Sequence, residues 1–198
     1  FVEQVIADNP GSRIESLKLE KRLPKVLTND EIERLKRSFN HSKPSQRQLC
    51  MLDLFLSTGL RISELIGIRL NDINFDNKTI RVIGKGNKER VVFFNEKTKE
   101  ILSKFISLNP PTPGNPIFPI SKRGVQKAIQ THRKSAQICK KVTPHSLRHT
   151  FATEMIEKGA DIVTVKELLG HASIMTTQIY TQVSRNHIQQ VYAKCKEI

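Results

Sequence analysis

The chain has 198 residues, 37% of them hydrophobic, with Lys+Arg 33 against Asp+Glu 19 and a formal net charge of +14 at pH 7. That is apolar material for one ordinary core, and the cationic excess points to a polyanionic partner, nucleic acid before an anionic membrane surface. No apolar run approaches the roughly 18–20 residues that a bilayer crossing needs, and three cysteines without paired spacing (Cys50, Cys139, Cys195) argue for a reducing compartment and against a disulfide framework or zinc site.

No signal peptide is visible, and a start at Phe1 without methionine reads as a piece of a longer protein. Residues 1–20 read as the tail of a helix and a linker, broken at Asn9-Pro10-Gly11-Ser12. The compact domain is expected over 21–198. Thr28-Asn-Asp-Glu31 is a capping box with Leu27 and Ile32 placed as a staple, which predicts a helix over about 29–39. A second helix, about 45–57, carries Leu49, Leu52, Leu54, Phe55 and Leu56 and ends at Gly59, and a short third runs from about Ile62 to Ile68. Ile73–Phe75, Thr79–Ile83 and Glu89–Phe94 are β-branched or aromatic runs separated by Asp76-Asn77-Lys78 and by Gly84 to Lys88, which predicts a small three-stranded antiparallel sheet. Helices follow over about 96–108, capped by Asn95, and from Ser121 to about Ile138, on either side of a proline-dense loop at 109–116. Thr143-Pro144 opens a helix that Gly159 closes, Asp161 caps one ending at Gly170, and helices at about 174–181 and 185–196 finish the chain. The fold class is mainly α with one small antiparallel sheet, an α+β arrangement.

The residues with chemistry form a set. Arg61 and Glu64 lie at the start of the short third helix, and Lys85 sits in a hairpin between Gly84 and Gly86, with Lys88 as its nearest competitor. His145, Arg148 and His149 lie on the first turns of the helix after Thr143, and His171 and Tyr180 follow Gly170. His145 and Arg148 are three apart and are expected to project from one face. His145 and His149 are four apart, but Ser146 stands where a zinc-protease pattern needs glutamate, so no metal is expected. Arginine grips two phosphate oxygens with its planar fork and stays charged. Arginines, imidazoles and a phenol therefore suit attack of a tyrosine oxygen on a phosphodiester. Each member also has a plainer reading: a local Arg61–Glu64 pair, core capping by Arg148 and His145, a solvated hairpin lysine, and Tyr180 packed beside Ile179 in a helix-turn-helix over 161–182. Tyr192, the other tyrosine, sits in an ordinary amphipathic helix.

Four motifs in order, Thr-Gly-Leu-Arg61-Ile-Ser-Glu64-Leu, Gly-Lys85-Gly-Asn-Lys-Glu-Arg, His145-Ser-Leu-Arg148-His-Thr-Phe-Ala-Thr and Leu-Leu-Gly-His171 with Tyr180 beyond it, resemble the tyrosine recombinase (phage integrase) family, in particular its Xer-type members. The resemblance covers residues 21–198 as a catalytic domain and implies a site-specific recombinase that forms a 3′-phosphotyrosyl intermediate without metal or cofactor. It implies Arg61 and Arg148 as phosphate ligands, Tyr180 as nucleophile and Lys85 as acid for the leaving 5′-hydroxyl. It further implies His145 in proton transfer, His171 as donor to a non-bridging oxygen, Glu64 supporting the arginine site and His149 packing behind it. Residues 1–20 then resemble the linker from an N-terminal DNA-clamping domain. Double-stranded DNA is the implied partner, bound by a homotetramer that exchanges the C-terminal helix, in a bacterial cytoplasm. The alternatives are a type IB topoisomerase, with the same chemistry, and a non-catalytic helix-turn-helix regulator.

Overall fold

The computed structural model describes residues 26–39, 43–84, 89–170 and 183–196. The linker expected over 1–20, the helix expected at 174–181, and Lys85, Lys88, His171 and Tyr180 lie outside the described residues. The elements in chain order are α1 (Asn29–Arg37), α2 (Lys43–Thr58), α3 (Ile62–Gly67), a 3₁₀ turn at Leu70–Asp72, β1 (Ile73–Asn74), β2 (Thr79–Ile83), β3 (Glu89–Phe93), α4 (Glu96–Leu108), α5 (Lys122–Ser135), α6 (Pro144–Glu157), α7 (Ile162–Leu169) and α8 (Val183–Lys196). The mainly helical class with a three-stranded sheet is the expected one. The sheet runs β1-β2-β3, all antiparallel, with Ile80 opposite Val92 and Val82 opposite Arg90.

Local chemistry explains most of the boundaries. Thr28 accepts from the Glu31 amide while Glu31 Oε2 accepts from the Thr28 amide at 2.8 Å, the reciprocal box read from the sequence. Asn95, Ser121, Thr143 and Asp161 each cap their helix by a side-chain oxygen. Several ends lie a few residues from expectation, and two of them have a local cause. Helix α5 stops at Ser135 and not near Ile138, because the Arg133 guanidinium takes the Ile138 carbonyl at 2.7 Å and Gln137 turns to φ +53°. Strand β1 is only two residues long, since the chain turns back at Phe75 to Lys78, with Lys78 at φ +51°.

Two apolar clusters organise the molecule. The larger one joins α1 to α5 and the buried face of the sheet around Leu54, Phe55, Leu65, Ile80, Phe94 and Phe118. The smaller one, Phe151, Met155, Val165, Leu168, Leu169, Tyr192 and Cys195, joins α6, α7 and α8. Helix α8 is latched onto its own domain. Tyr192 donates to the Ser57 carbonyl at 2.8 Å, and Lys196 pairs with Glu154 while its ammonium lies 5.4 Å from the Phe151 ring centroid. Gly59 lets the two clusters meet. It turns the chain out of α2 at φ +63°, and a Cβ there would lie 2.6 Å from Phe151 and 2.8 Å from Leu169.

One buried polar contact ties α1, α2 and α5. The His132 ring stacks on Phe39 at 3.7 Å between centroids, and its Nε2 sits 2.7 Å from Gln48 Oε1. Burial pulls the His132 pKa below its ordinary value, against a smaller opposing hydrogen bond from its Nδ1 to the Ser38 carbonyl. The neutral ring therefore belongs to the fold, and protonation favours the unfolded chain. Its contribution to stability is complete above the unfolded histidine value of about 6.5 and declines as pH falls below it. Thermal melting of the native chain is expected to drop between pH 7 and pH 5.5 by more than that of His132→Phe; parallel curves would remove His132 from this role.

Candidate active site

Four side chains from three segments converge on the C-terminal end of α7. The residue before α3 is Arg61, and Glu64 stands in the first turn of that helix, where its Oε2 accepts the Arg61 amide at 2.7 Å. This is the ordinary use of an acid at the third helical position, closing an orphan N–H at the helix start. The same carboxylate accepts from Arg61 Nη1 at 3.0 Å. From β3, Arg90 grips it with two nitrogens, Nη2 to Oε2 at 2.9 Å and Nε to Oε1 at 3.2 Å. Helix α6 supplies Arg148, which is only 7% exposed. Its Nη1 donates to the Gly59 carbonyl at 2.6 Å and its Nη2 to the Leu169 carbonyl.

The carbonyls at the end of α7 have no partners within their helix and carry its negative dipole end. Here three successive ones are met by three guanidinium groups: Leu168 by Arg90, Leu169 by Arg148, and Gly170 by Arg61 at 3.1 Å. Gly170 closes the helix at φ +63°, and a Cβ on it would come within 2.6 Å of Arg90 Cδ. The glycine is required by both the backbone and its neighbour.

Among the described residues the cluster holds three guanidinium charges against one carboxylate. The Glu64 side chain is 0% exposed, that of Arg90 14% and that of Arg61 30%, so the positive excess opens to solvent at Arg61. Burial alone would raise the Glu64 pKa. The hydrogen bond and charge of Arg90, then the amide and guanidinium of Arg61, outweigh it and hold the acid below its ordinary value. Burial, followed by repulsion from Arg61 and Arg90, brings Arg148 down to about 10, so it remains cationic at neutral pH. An anion arriving at this cluster would meet preorganised donors in a partly dry setting.

The structure brings together Arg61, Glu64 and Arg148, as the sequence led one to expect. Two expectations on α6 are corrected. His149 does not pack behind the arginine site but is exposed, and His145 and Arg148 do not share one environment: His145 is exposed while Arg148 points into the domain. The reason is helical phase. Leu147, Arg148, Phe151 and Met155 form the buried stripe of α6, and His145 and His149, four apart, fall together on its outer side. The plainer reading of Arg148, that of capping core elements, describes its contacts accurately. Arg90, which ends the Gly-Lys85-Gly-Asn-Lys-Glu-Arg motif, has no role legible in the sequence; a buried arginine beside a buried acid is visible only once β3 is laid against α3.

Arg148→Ala would leave the Gly59 and Leu169 carbonyls without their charged donor. Its unfolding free energy in urea is expected to fall by about 1–3 kcal/mol, and Arg148→Lys should recover only part of that, since an ammonium cannot span both carbonyls in one plane.

Residues 25–187 match the Phage integrase family. Over 203 residues the chain is 39% identical to the tyrosine recombinase XerD of Halalkalibacterium halodurans, a match that covers 96% of this chain and 68% of that protein. Among solved structures it is similar to the XerA recombinase, at 32% identity and a TM-score of 0.67, over 85% of this chain and 65% of the other. It is also similar to the XerH site-specific recombinase bound to palindromic difH substrate in a post-cleavage complex, at 26% identity and a TM-score of 0.66, over 87% of this chain and 53% of the other. The chain thus spans 68% of the curated relative and 53–65% of the two solved ones. Family match, relatives and fold agree: the chain belongs to the phage integrase family, that of the tyrosine recombinases.

Proposed function

We propose that this chain carries the strand-cleaving and rejoining centre of a site-specific DNA recombinase. The observation that supports it most is the convergence of Arg61 and Arg148 from distant segments around one buried carboxylate, with an excess of positive charge at the surface. A phosphodiester set against that cluster is held by the guanidinium groups, and the transition state, with its added negative charge, is held more tightly than the substrate. In this reading Tyr180 attacks phosphorus. The new bond joins its phenolic oxygen to the 3′-phosphate, and the bond to the 5′-oxygen breaks, that oxygen taking a proton from Lys85. His145 takes the phenolic proton, for which its exposed place near the start of α6 leaves it accessible, and His171 donates to a non-bridging oxygen. One ester replaces another, so rejoining by reversal needs neither ATP nor a metal.

The partner is duplex DNA, as difH is for XerH. Exposed Lys122, Arg123, Lys127 and Lys134 on α5 and exposed Lys141 after it suit the phosphate backbone. The working assembly is a homotetramer on two duplexes, with α8 leaving its present seat to dock on a neighbouring copy, and the compartment is the one that holds the DNA, the bacterial cytoplasm. On DNA, mass photometry is expected to find four chains per two duplexes; two chains per duplex with no larger species would exclude the tetramer. A regulator without chemistry would use the exposed basic side chains but has no use for the Arg61–Glu64–Arg148 cluster. A type IB topoisomerase would use the cluster, and is separated from a recombinase by its inability to join two different duplexes.

Tyr180→Phe is expected to retain DNA binding and to form no covalent adduct when protein expressed in a bacterial cell is denatured and its attached DNA recovered. The native chain should yield such DNA, and its sequence identifies the target site. An adduct in the variant would take the nucleophile's role away from Tyr180.

A further inference from the structure

Among the described residues Arg90 hydrogen-bonds to Glu64 and the Leu168 carbonyl and to no phosphate ligand, and it makes as many hydrogen bonds to Glu64 as Arg61 does. An ionised carboxylate offers about four acceptor sites. Here Oε1 takes Arg61 Nη1 and Arg90 Nε, and Oε2 takes the Arg61 amide and Arg90 Nη2, so Arg90 fills half of the set. Its third contact, to the Leu168 carbonyl, anchors it to α7 beside the carbonyls held by Arg148 and Arg61.

We propose that Arg90 is a positioning residue for the phosphate site: it occupies the half of Glu64 that Arg61 does not, so that Arg61 and Arg148 keep their charge for the phosphate. This rests on the reading of those two arginines as phosphate ligands. Without Arg90, Glu64 is a buried carboxylate with two unmet acceptor sites beside two cations, and burial makes that arrangement costly. The carboxylate then closes on Arg61 in a two-pronged pair and draws on Arg148, and the cluster loses one of its three positive charges. Both changes weaken the hold on the negative charge that develops at phosphorus. Lysine cannot substitute fully, because a single ammonium does not reproduce the planar fork that reaches both oxygens and the Leu168 carbonyl. Close approach of Arg90 Cδ to Gly170 gives the glycine of Leu-Leu-Gly-His its second purpose.

The test uses a nicked suicide duplex built from the DNA recovered covalently on the native chain, with single-turnover cleavage, DNA affinity and melting temperature measured together. Arg90→Gln is expected to cleave about tenfold to a hundredfold more slowly, less than the roughly 10²–10³ lost when a donor touching the developing charge is removed. Its DNA affinity should stay within about threefold, because many other phosphate contacts remain. Arg90→Lys should fall between it and the native chain. The deciding measurement is the double variant Glu64→Gln with Arg90→Gln, in which no carboxylate is left to quench Arg61. It should cleave faster than Arg90→Gln alone, a sign of coupling that mere loss of structure does not give. Native cleavage by Arg90→Gln, or a double variant no faster than the single one, overturns the proposal. Should Arg90→Gln fail to fold, Arg90→Lys decides: native-like melting with slowed cleavage upholds it, and native-like cleavage overturns it. If the native chain itself forms no adduct with any DNA, the recombinase reading fails and takes this role with it; if the native chain cleaves and Arg90→Gln matches it, only the role of Arg90 fails.

Discussion

The candidate site is organised around one buried carboxylate. Glu64, fully enclosed, is bound by Arg61 at the cap of its own helix and by Arg90 on the sheet, and through their carbonyl contacts these two reach the end of α7. With Arg148 from α6 they join elements from the middle and the end of the chain. A buried ion pair of this kind is weak evidence of stability, since desolvating the charges offsets much of their attraction. Its value is geometric: it fixes where the Arg61 and Arg90 guanidinium groups stand, while the Gly59 and Leu169 carbonyls fix Arg148 beside them.

The same contacts couple the site to the second apolar cluster. Leu168 and Leu169 bury their side chains against Phe151, Val165 and the α8 residues Tyr192 and Cys195, while their carbonyls accept from Arg90 and Arg148. Gly59 serves both sides as well, offering its carbonyl to Arg148 and its missing Cβ to Phe151 and Leu169. The layer against which α8 is seated is thus the layer that carries the arginine contacts. Lys196, whose ammonium burial disfavours and Glu154 partly restores, is part of that seating.

The Arg61–Glu64 pair and the place of Arg148 on α6 were legible because their motifs are local. Thr58-Gly59-Leu60-Arg61 is a helix end followed by a helix start, and Glu64 three positions on completes the start, so the pair could be read from spacing. The Thr143-Pro144 opening of α6 likewise placed Arg148 in its second turn. Environment was less legible. The helix α6 has almost no apolar asymmetry in composition, so nothing in its sequence said that Arg148 faces inward and His149 outward; the contacts of α6 with α2, α7 and α8 decide that. Arg90 was missed for a related reason. On a strand of alternating burial, an arginine reads as a solvent-facing residue until its partner across the fold is known.

Sequence by itself determined most of the described elements, their caps and the identity of the charged groups, because helix starts, glycine ends and β-branched runs are set by forces that act over a few residues. It also determined the family, because four separated motifs in order leave little room for another reading. Tertiary structure alone decided which arginines share a carboxylate, which carbonyls they close, and which histidines stay outside. Those outcomes depend on which faces of distant elements are buried against one another, and burial is a property of the packed whole.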